Sequence, residues 1–276
     1  MRSRRACLTT LSILLLLALG VTGVWWLLDR SKIPSTSKVS SEISNFVQES
    51  DFTVKRLRDH DTSSGKVHVY QAEMKSGETV LFDVDEDGSV VGFLRLGRKA
   101  NTVSLSQEEA ASVAKAFAKQ RYADPPLLDL TPDEAELVDA QEDKKYYLFQ
   151  WIKKDMRSGA LLPQSVQVQV NAQTGEIDGY AFIDEPVTVD TLPDTGRLSA
   201  ERVALDVVRE YIAAPSVEET KLIVTNFPLL DPNGKQTLIW QIDIIGGKPG
   251  EIDIIPEVLV LLDANTGEIL QVEALR

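Results

Sequence analysis

Three glycine turns recur at nearly even intervals along this chain: Val84-Asp85-Glu86-Asp87-Gly88, Asn171-Ala172-Gln173-Thr174-Gly175-Glu176-Ile177 and Asp263-Ala264-Asn265-Thr266-Gly267-Glu268-Ile269. The glycines lie 87 and 92 residues apart, too far for a solenoid repeat and right for a small domain copied in tandem. The expected division is 1–32 as tail and anchor, 33–100 as a degraded first unit, and 101–190 and 191–276 as two further units. Units this small bury a modest share of their surface, so neighbours are expected to share interface.

No charged residue occurs from Leu8 to Leu28, 21 positions that would span the hydrocarbon core of a bilayer as a helix. Ala18-Leu19-Gly20 has the small-x-small look of a signal-peptidase site, but the apolar run continues to Trp25, Trp26, Leu27 and Leu28, which favours a retained anchor. Arg2, Arg4 and Arg5 precede the run, and Arg30, Lys32 and Lys38 follow it. Charge therefore nearly ties, and the order of basic tail, apolar run and long body sets the expectation: a single-pass cell-membrane protein, amino terminus cytoplasmic and body extracytoplasmic. The one cysteine, Cys7, precedes the run, so the body has neither disulfide nor thiol nucleophile.

Residues 1–32 hold five basic residues and one acid, leaving 24 basic and 41 acidic residues and a formal charge of −17 beyond them. Such a surface disfavours nucleic acid and other polyanions as partners and favours basic proteins or divalent cations. It also serves solubility.

Along the body the pattern runs helix, then strands, three times. A first helix carries Ile43, Phe46 and Val47, followed by strand-like runs Phe52 to Leu57, Lys66 to Met74, Thr79 to Val84 and Val90 to Leu96. In the second unit, Ser106-Gln107-Glu108-Glu109 is a capping box ahead of Ala110, Val113, Ala114, Phe117 and Ala118 at helical spacing, and Pro125-Pro126 ends the helix. Strands are expected over Ala135 to Ala140, Lys144 to Ile152 and Ser165 to Asn171, where Val166, Val168 and Val170 alternate with Gln167 and Gln169. In the third unit Ser199 reads as N-cap, with Leu198 and Val203 as staple and Ala204, Val207, Val208 and Tyr211 as the apolar stripe. Its strands are Leu222 to Phe227, Gln236 to Ile245, Val258 to Leu262 and Glu268 to Ala274.

The second and third units align residue by residue, Leu105-Ser106 on Leu198-Ser199, Phe149-Gln150-Trp151 on Leu238-Ile239-Trp240, and the two turn motifs on each other. In each motif the opening Asn171 or Asp263 can accept backbone N–H groups, and Gly175 or Gly267 can take a positive φ. Thr174, Glu176, Thr266 and Glu268 complete a hairpin signature, and that role accounts for it in full. Trp151 and Trp240 read as core anchors.

A helix followed by an antiparallel sheet closing on (Asp/Asn)-Ala-x-Thr-Gly-Glu-Ile resembles a PepSY domain. The match runs from roughly Val103 to Arg276. The first unit departs from it, with a turn one residue shorter and Asp87 and Ser89 where the motif has Thr and Glu. The resemblance implies small α+β units, each a short helix on an antiparallel sheet, with an extracytoplasmic binding or inhibitory role and no catalysis. The expected partner is a protein of the cell envelope, and the expected activity is to restrain or stabilise an envelope enzyme such as a peptidase or wall hydrolase, through sheet edges and hairpin loops.

Other chemistry has weak support. Asp83, Asp85 and Asp87 open like a calcium loop with Gly88 in sixth place, but the twelfth place is Leu94, without the bidentate Glu, so an acidic turn is the better reading. A cation or small-ligand sensor built on this turn is the rival function. His60 and His68 are too few for a zinc site, and alternation with Val67 and Val69 places His68 on a wet face. No Gly-x-Ser-x-Gly elbow accompanies them, so no enzyme and no cofactor are expected. Gly246-Gly247-Lys248-Pro249-Gly250 lacks the lysine-hydroxyl end of a phosphate loop and reads as a connector; like Arg157-Ser158-Gly159-Ala160, it could touch a partner.

Overall fold

A computed structural model of the chain describes residues 33–62, 65–121, 132–141, 144–210, 212–226, 235–246 and 257–275. These form helix α1 (Thr36–Val47) and strands β1 (Phe52–Thr62), β2 (Gly65–Met74), β3 (Thr79–Val84) and β4 (Val90–Leu96). Helix α2 (Gln107–Lys119) follows, with β5 (Glu134–Gln141), β6 (Lys144–Lys154), β7 (Leu161–Asn171) and β8 (Ile177–Asp184). Helix α3 (Arg197–Val208) then precedes β9 (Ser216–Thr225), β10 (Thr237–Ile245), β11 (Glu257–Asp263) and β12 (Ile269–Leu275). The Leu8–Leu28 run, Cys7, Pro125-Pro126, Tyr211, Phe227 and Gly247–Gly250 lie outside the described residues.

Two expectations are overturned. The chain is mostly β-sheet, twelve strands to three helices among the described residues, and does not form tandem α+β units each with a helix on its own sheet. Among the described residues no helix is long and apolar enough to cross a membrane, so the single-pass placement, with its membrane contact and cytoplasmic amino terminus, is withdrawn.

Contacts divide the chain into two compact units, residues 1–152 with 164–184, and residues 153–163 with 185–276. In the first, strands run in the order β1-β2-β3-β4-β8-β7, with β6 beside β7 and β5 beside β6. Helices α1 and α2 share one core there: Val39 and Ile43 of α1 and Ala110, Ala114 and Ala118 of α2 join Phe82, Phe93, Phe149, Trp151 and Tyr180 in a single buried cluster. This is the physical reason that independent helix-on-sheet units do not form. The buried face of α2 is alanine, too small to seal a hydrophobic layer alone.

The seam between the two halves of this unit is the antiparallel pair β4–β8, with Gly92 opposite Ala181, Phe93 opposite Tyr180 and Leu94 opposite Gly179. Four rings close over it. Phe46 of α1 lies 5.4 Å from Phe93 and Phe117 of α2 lies 5.5 Å from Tyr180, while Phe46 and Phe117 meet edge to face at 6.0 Å. The Arg121 guanidinium sits 3.9 Å over Phe117 and 4.6 Å over Phe46 and donates to the Phe46 carbonyl at 2.9 Å, tying the end of α2 to α1.

The second unit is the sheet β9-β10-β11-β12, with Leu161 at the start of β7 pairing in parallel with Ile223. Its core sets Ala200, Ala204 and Val208 of α3 against Leu238, Trp240, Ile242, Val260 and Leu262. Helix α3 begins earlier than expected. Its N-cap is Gly196, without a side-chain cap, and Leu198 is 76% exposed, so neither the Ser199 cap nor the Leu198 staple forms. Ser106 does form its capping box with Glu109. The buried Ala110 and Ala200 each lie fourth in their helices, so the structural counterpart of Leu105-Ser106 is Thr195-Gly196.

Candidate functional site

The two full turn motifs have one geometry. Asn171 Oδ1 accepts the N–H groups of Gln173 and Thr174, both at 3.0 Å, and Asp263 Oδ1 accepts those of Asn265 and Thr266 at 2.8 and 2.9 Å. Thr174 Oγ1 accepts the Glu176 N–H at 3.3 Å, as Thr266 Oγ1 accepts that of Glu268 at 3.2 Å. Gly175 and Gly267 sit at φ 76° and 75°, where a side chain would be strained.

The motif also does something beyond turning the chain. Ala172 and Ala264 are fully buried, and their carbonyls accept from the strap that enters the following layer: Ser104 and Leu105 donate to Ala172 O at 2.9 and 3.1 Å, and Thr195 donates to Ala264 O at 2.8 Å. A ring from the adjoining strand then holds the strap, since the Tyr147 hydroxyl donates to Leu105 O and Trp240 Nε1 to Thr195 O, each at 2.8 Å. The sequence signal was the alanine shared by both motifs, small because a backbone passes over it.

The third turn differs. Asp85 Oδ1 accepts the Ser89 N–H at 2.8 Å, and the Lys38 ammonium of α1 donates to the Asp87 carbonyl. Asp83 lies half-buried on β3, on the face opposite Phe82 and Val84, and burial pushes its carboxyl above the ordinary range. Among the described residues no group of three or more His, Cys, Asp or Glu is arranged to hold a metal ion.

His68 is fully buried, not on a wet face. Both faces of β2 are covered from Val67 to Tyr70, so alternation there does not distinguish inside from outside. Its Nδ1 lies 2.9 Å from Asp59 Oδ1, and a carboxylate can only accept, so Nδ1 carries the hydrogen. Arg56 donates to the same oxygen, Nε to Oδ1 at 3.1 Å. His60 is half-buried on β1.

A charge network absent from the sequence reading joins two hairpins of the first unit. Arg98 binds Glu78 in the β2–β3 turn and Glu176 in the turn motif, and lies 3.7 Å from Asp178; Arg95 also binds Glu78. Burial works to raise the Glu78 carboxyl, but the Arg98 and Arg95 guanidiniums outweigh it and hold it below the usual range. Burial wins at Asp178, which is pushed up although Asn171 Nδ2 donates to it at 2.9 Å. The network sets two guanidiniums among three carboxylates.

The Arg157–Ala160 loop is similarly occupied: Asp155 Oδ2 accepts Ser158 Oγ and Thr191 Oγ1, each at 2.8 Å, leaving Met156 97% exposed at the tip.

What the described residues offer is therefore a scaffold of sheet edges and tied-down hairpins. Among solved structures it is similar to the C-terminal domain of YpeB from Bacillus megaterium, at a TM-score of 0.51 and 16% identity, over 89% of this chain and 99% of that one. That likeness establishes a shared fold. An uncharacterised protein from Eubacterium rectale aligns over 86% of this chain and 80% of its own at a TM-score of 0.46 and 12% identity. No family model and no curated protein matches the sequence.

Proposed function

We propose that this chain is a PepSY-type regulatory module that binds a protein partner and restrains or stabilises an enzyme such as a peptidase or wall hydrolase. The observation that carries the reading is the fold shared with the YpeB C-terminal domain along nearly the whole of both chains. Two further features support it. Asn171 and Asp263 of the turn motifs brace their own backbone, and the acidic body favours a basic partner surface. Strand β1, an outer strand of the first unit among the described residues, offers a ladder edge suited to β-strand addition.

Crosslinking in cells that carry a tagged copy of the 276-residue chain tests this. The expected result is recovery of a peptidase or wall hydrolase whose purified activity changes several-fold when the chain is added. Recovery of no hydrolase, or of one indifferent to the chain, contradicts the proposal.

A further inference from the structure

Strands β4, β8 and β12 are counterparts by geometry as well as sequence. Each follows a turn glycine at positive φ (Gly88, Gly175, Gly267), and each slips register against its hairpin partner at the same place, passing over Val91, Asp178 and Leu270. The residue five past each glycine is therefore Phe93, Tyr180 or Val272. In the first unit the first two of these lie directly opposite each other, and the flanking pairs, Gly92 with Ala181 and Leu94 with Gly179, are related by exchange of the two strands. The β4–β8 seam thus has the symmetry of a two-fold axis through equivalent residues. The helices obey it too, since Phe46 and Phe117 are each the eleventh residue of their helices and meet over the axis.

The third copy of this strand has no such neighbour among the described residues. β12 pairs with β11 alone, at the end of the strand order. Phe93 and Tyr180 are 7% and 5% exposed in their seam, whereas Val272 is 40% exposed, with Ile269 and Leu270 beside it at 36% each. Val207, eleventh in α3, is half-buried. The strand carries no lysine and no proline, the residues that usually blunt an edge.

We propose that β12 pairs antiparallel with β12 of a second copy of this chain, centred on Val272, repeating between two molecules the seam that β4 and β8 make within one. A two-fold axis through Val272 sets Gln271 opposite Glu273 of the second copy, a pair able to hydrogen-bond, and brings the two Val272 side chains together where Phe93 and Tyr180 meet. An antiparallel pair of like strands is self-complementary, so the axis closes the assembly at two copies. The inference goes beyond the proposed function and is independent of which partner the chain regulates.

The test uses the 276-residue chain with its cysteine replaced, Cys7→Ser, and a new one introduced as Val272→Cys. Residues facing each other across the axis have Cα atoms about 5 Å apart, within reach of a disulfide, so mild oxidation is expected to yield a species of twice 30.5 kDa. Glu273→Cys in the same background puts the two sulfurs on residues about 8 Å apart and is expected to crosslink poorly. Without new cysteines, sedimentation equilibrium should show a dimer at about 100 micromolar whose Kd rises at least about tenfold with Val272→Lys, which sets like charges face to face. The lysine is accommodated in a folded monomer because the site is open to water. A monomer at that concentration, a dimer indifferent to Val272→Lys, or equal crosslinking at 272 and 273 overturns the proposal.

Discussion

At the scale of single residues, the account rests on turn chemistry and on a few half-buried charges. Gly175→Ala and Gly267→Ala each force a side chain into left-handed backbone, and at Gly175 the new Cβ would stand 3.0 Å from Leu105 Cδ2. Each should lower stability by about 1–2 kcal/mol, read from the urea midpoint. Trp240→Phe keeps the ring packing but leaves the Thr195 carbonyl without its indole donor, a cost of about 1–2 kcal/mol on the same assay. Two carboxylates should respond to pH in opposite senses. Glu78 has a lowered folded pKa, so its contribution is present above the unfolded value and is lost as pH falls through the folded one; Glu78→Gln should destabilise at neutral pH and converge on the parent in acid. Asp243 is raised, first by burial and further by Glu219 and Glu218, against Gln241 and Lys221. There the native state takes up a proton before the unfolded chain does, so the penalty is full above the folded pKa and fades as pH falls; Asp243→Asn should raise the thermal midpoint at neutral pH and lose that advantage in acid. The turns were legible because Asn, Thr and Gly act on their own backbone. His68 was not, since its burial depends on what covers both faces of β2, and Arg98 reaches Glu78 and Glu176, 20 and 78 positions away, which no local pattern encodes.

At the scale of elements, alternation and glycine punctuation placed the strands well: Thr79–Val84 and Val90–Leu96 were read with the bounds that form, and Ser106 marked the start of α2. Helix α3 was misjudged by three residues because Ser199 has the chemistry of a cap, while the strap bonded to Ala264 fixes where the helix begins. Pairing between β4 and β8 was not legible at all. Which strand edge meets which is decided by long-range packing of Phe46, Phe93, Phe117 and Tyr180, whose sequence positions show only that they are apolar. Removing one ring should therefore be costly: Phe117→Ala is expected to destabilise by about 3 kcal/mol, whereas Val207→Ala, at the matching place in α3, should cost less than about 1 kcal/mol in dilute solution. Comparable losses for the two would show that Val207 is packed as firmly as Phe117, contrary to this reading.

At the scale of the whole molecule, the sequence conveyed charge and repetition, and the structure shows what repetition alone could not: two of the repeats merge across the β4–β8 seam rather than stand in tandem. Attraction to a basic partner surface should weaken as salt shortens the Debye length to about 8 Å and below, while apolar edge contacts persist. The most direct measurement of the account is the turnover of the recovered peptidase or wall hydrolase as the purified 276-residue chain is titrated in. The account predicts a saturable change in rate that plateaus at a fixed stoichiometry. A rate unchanged by saturating chain, or hydrolysis by the chain with no partner present, would contradict it.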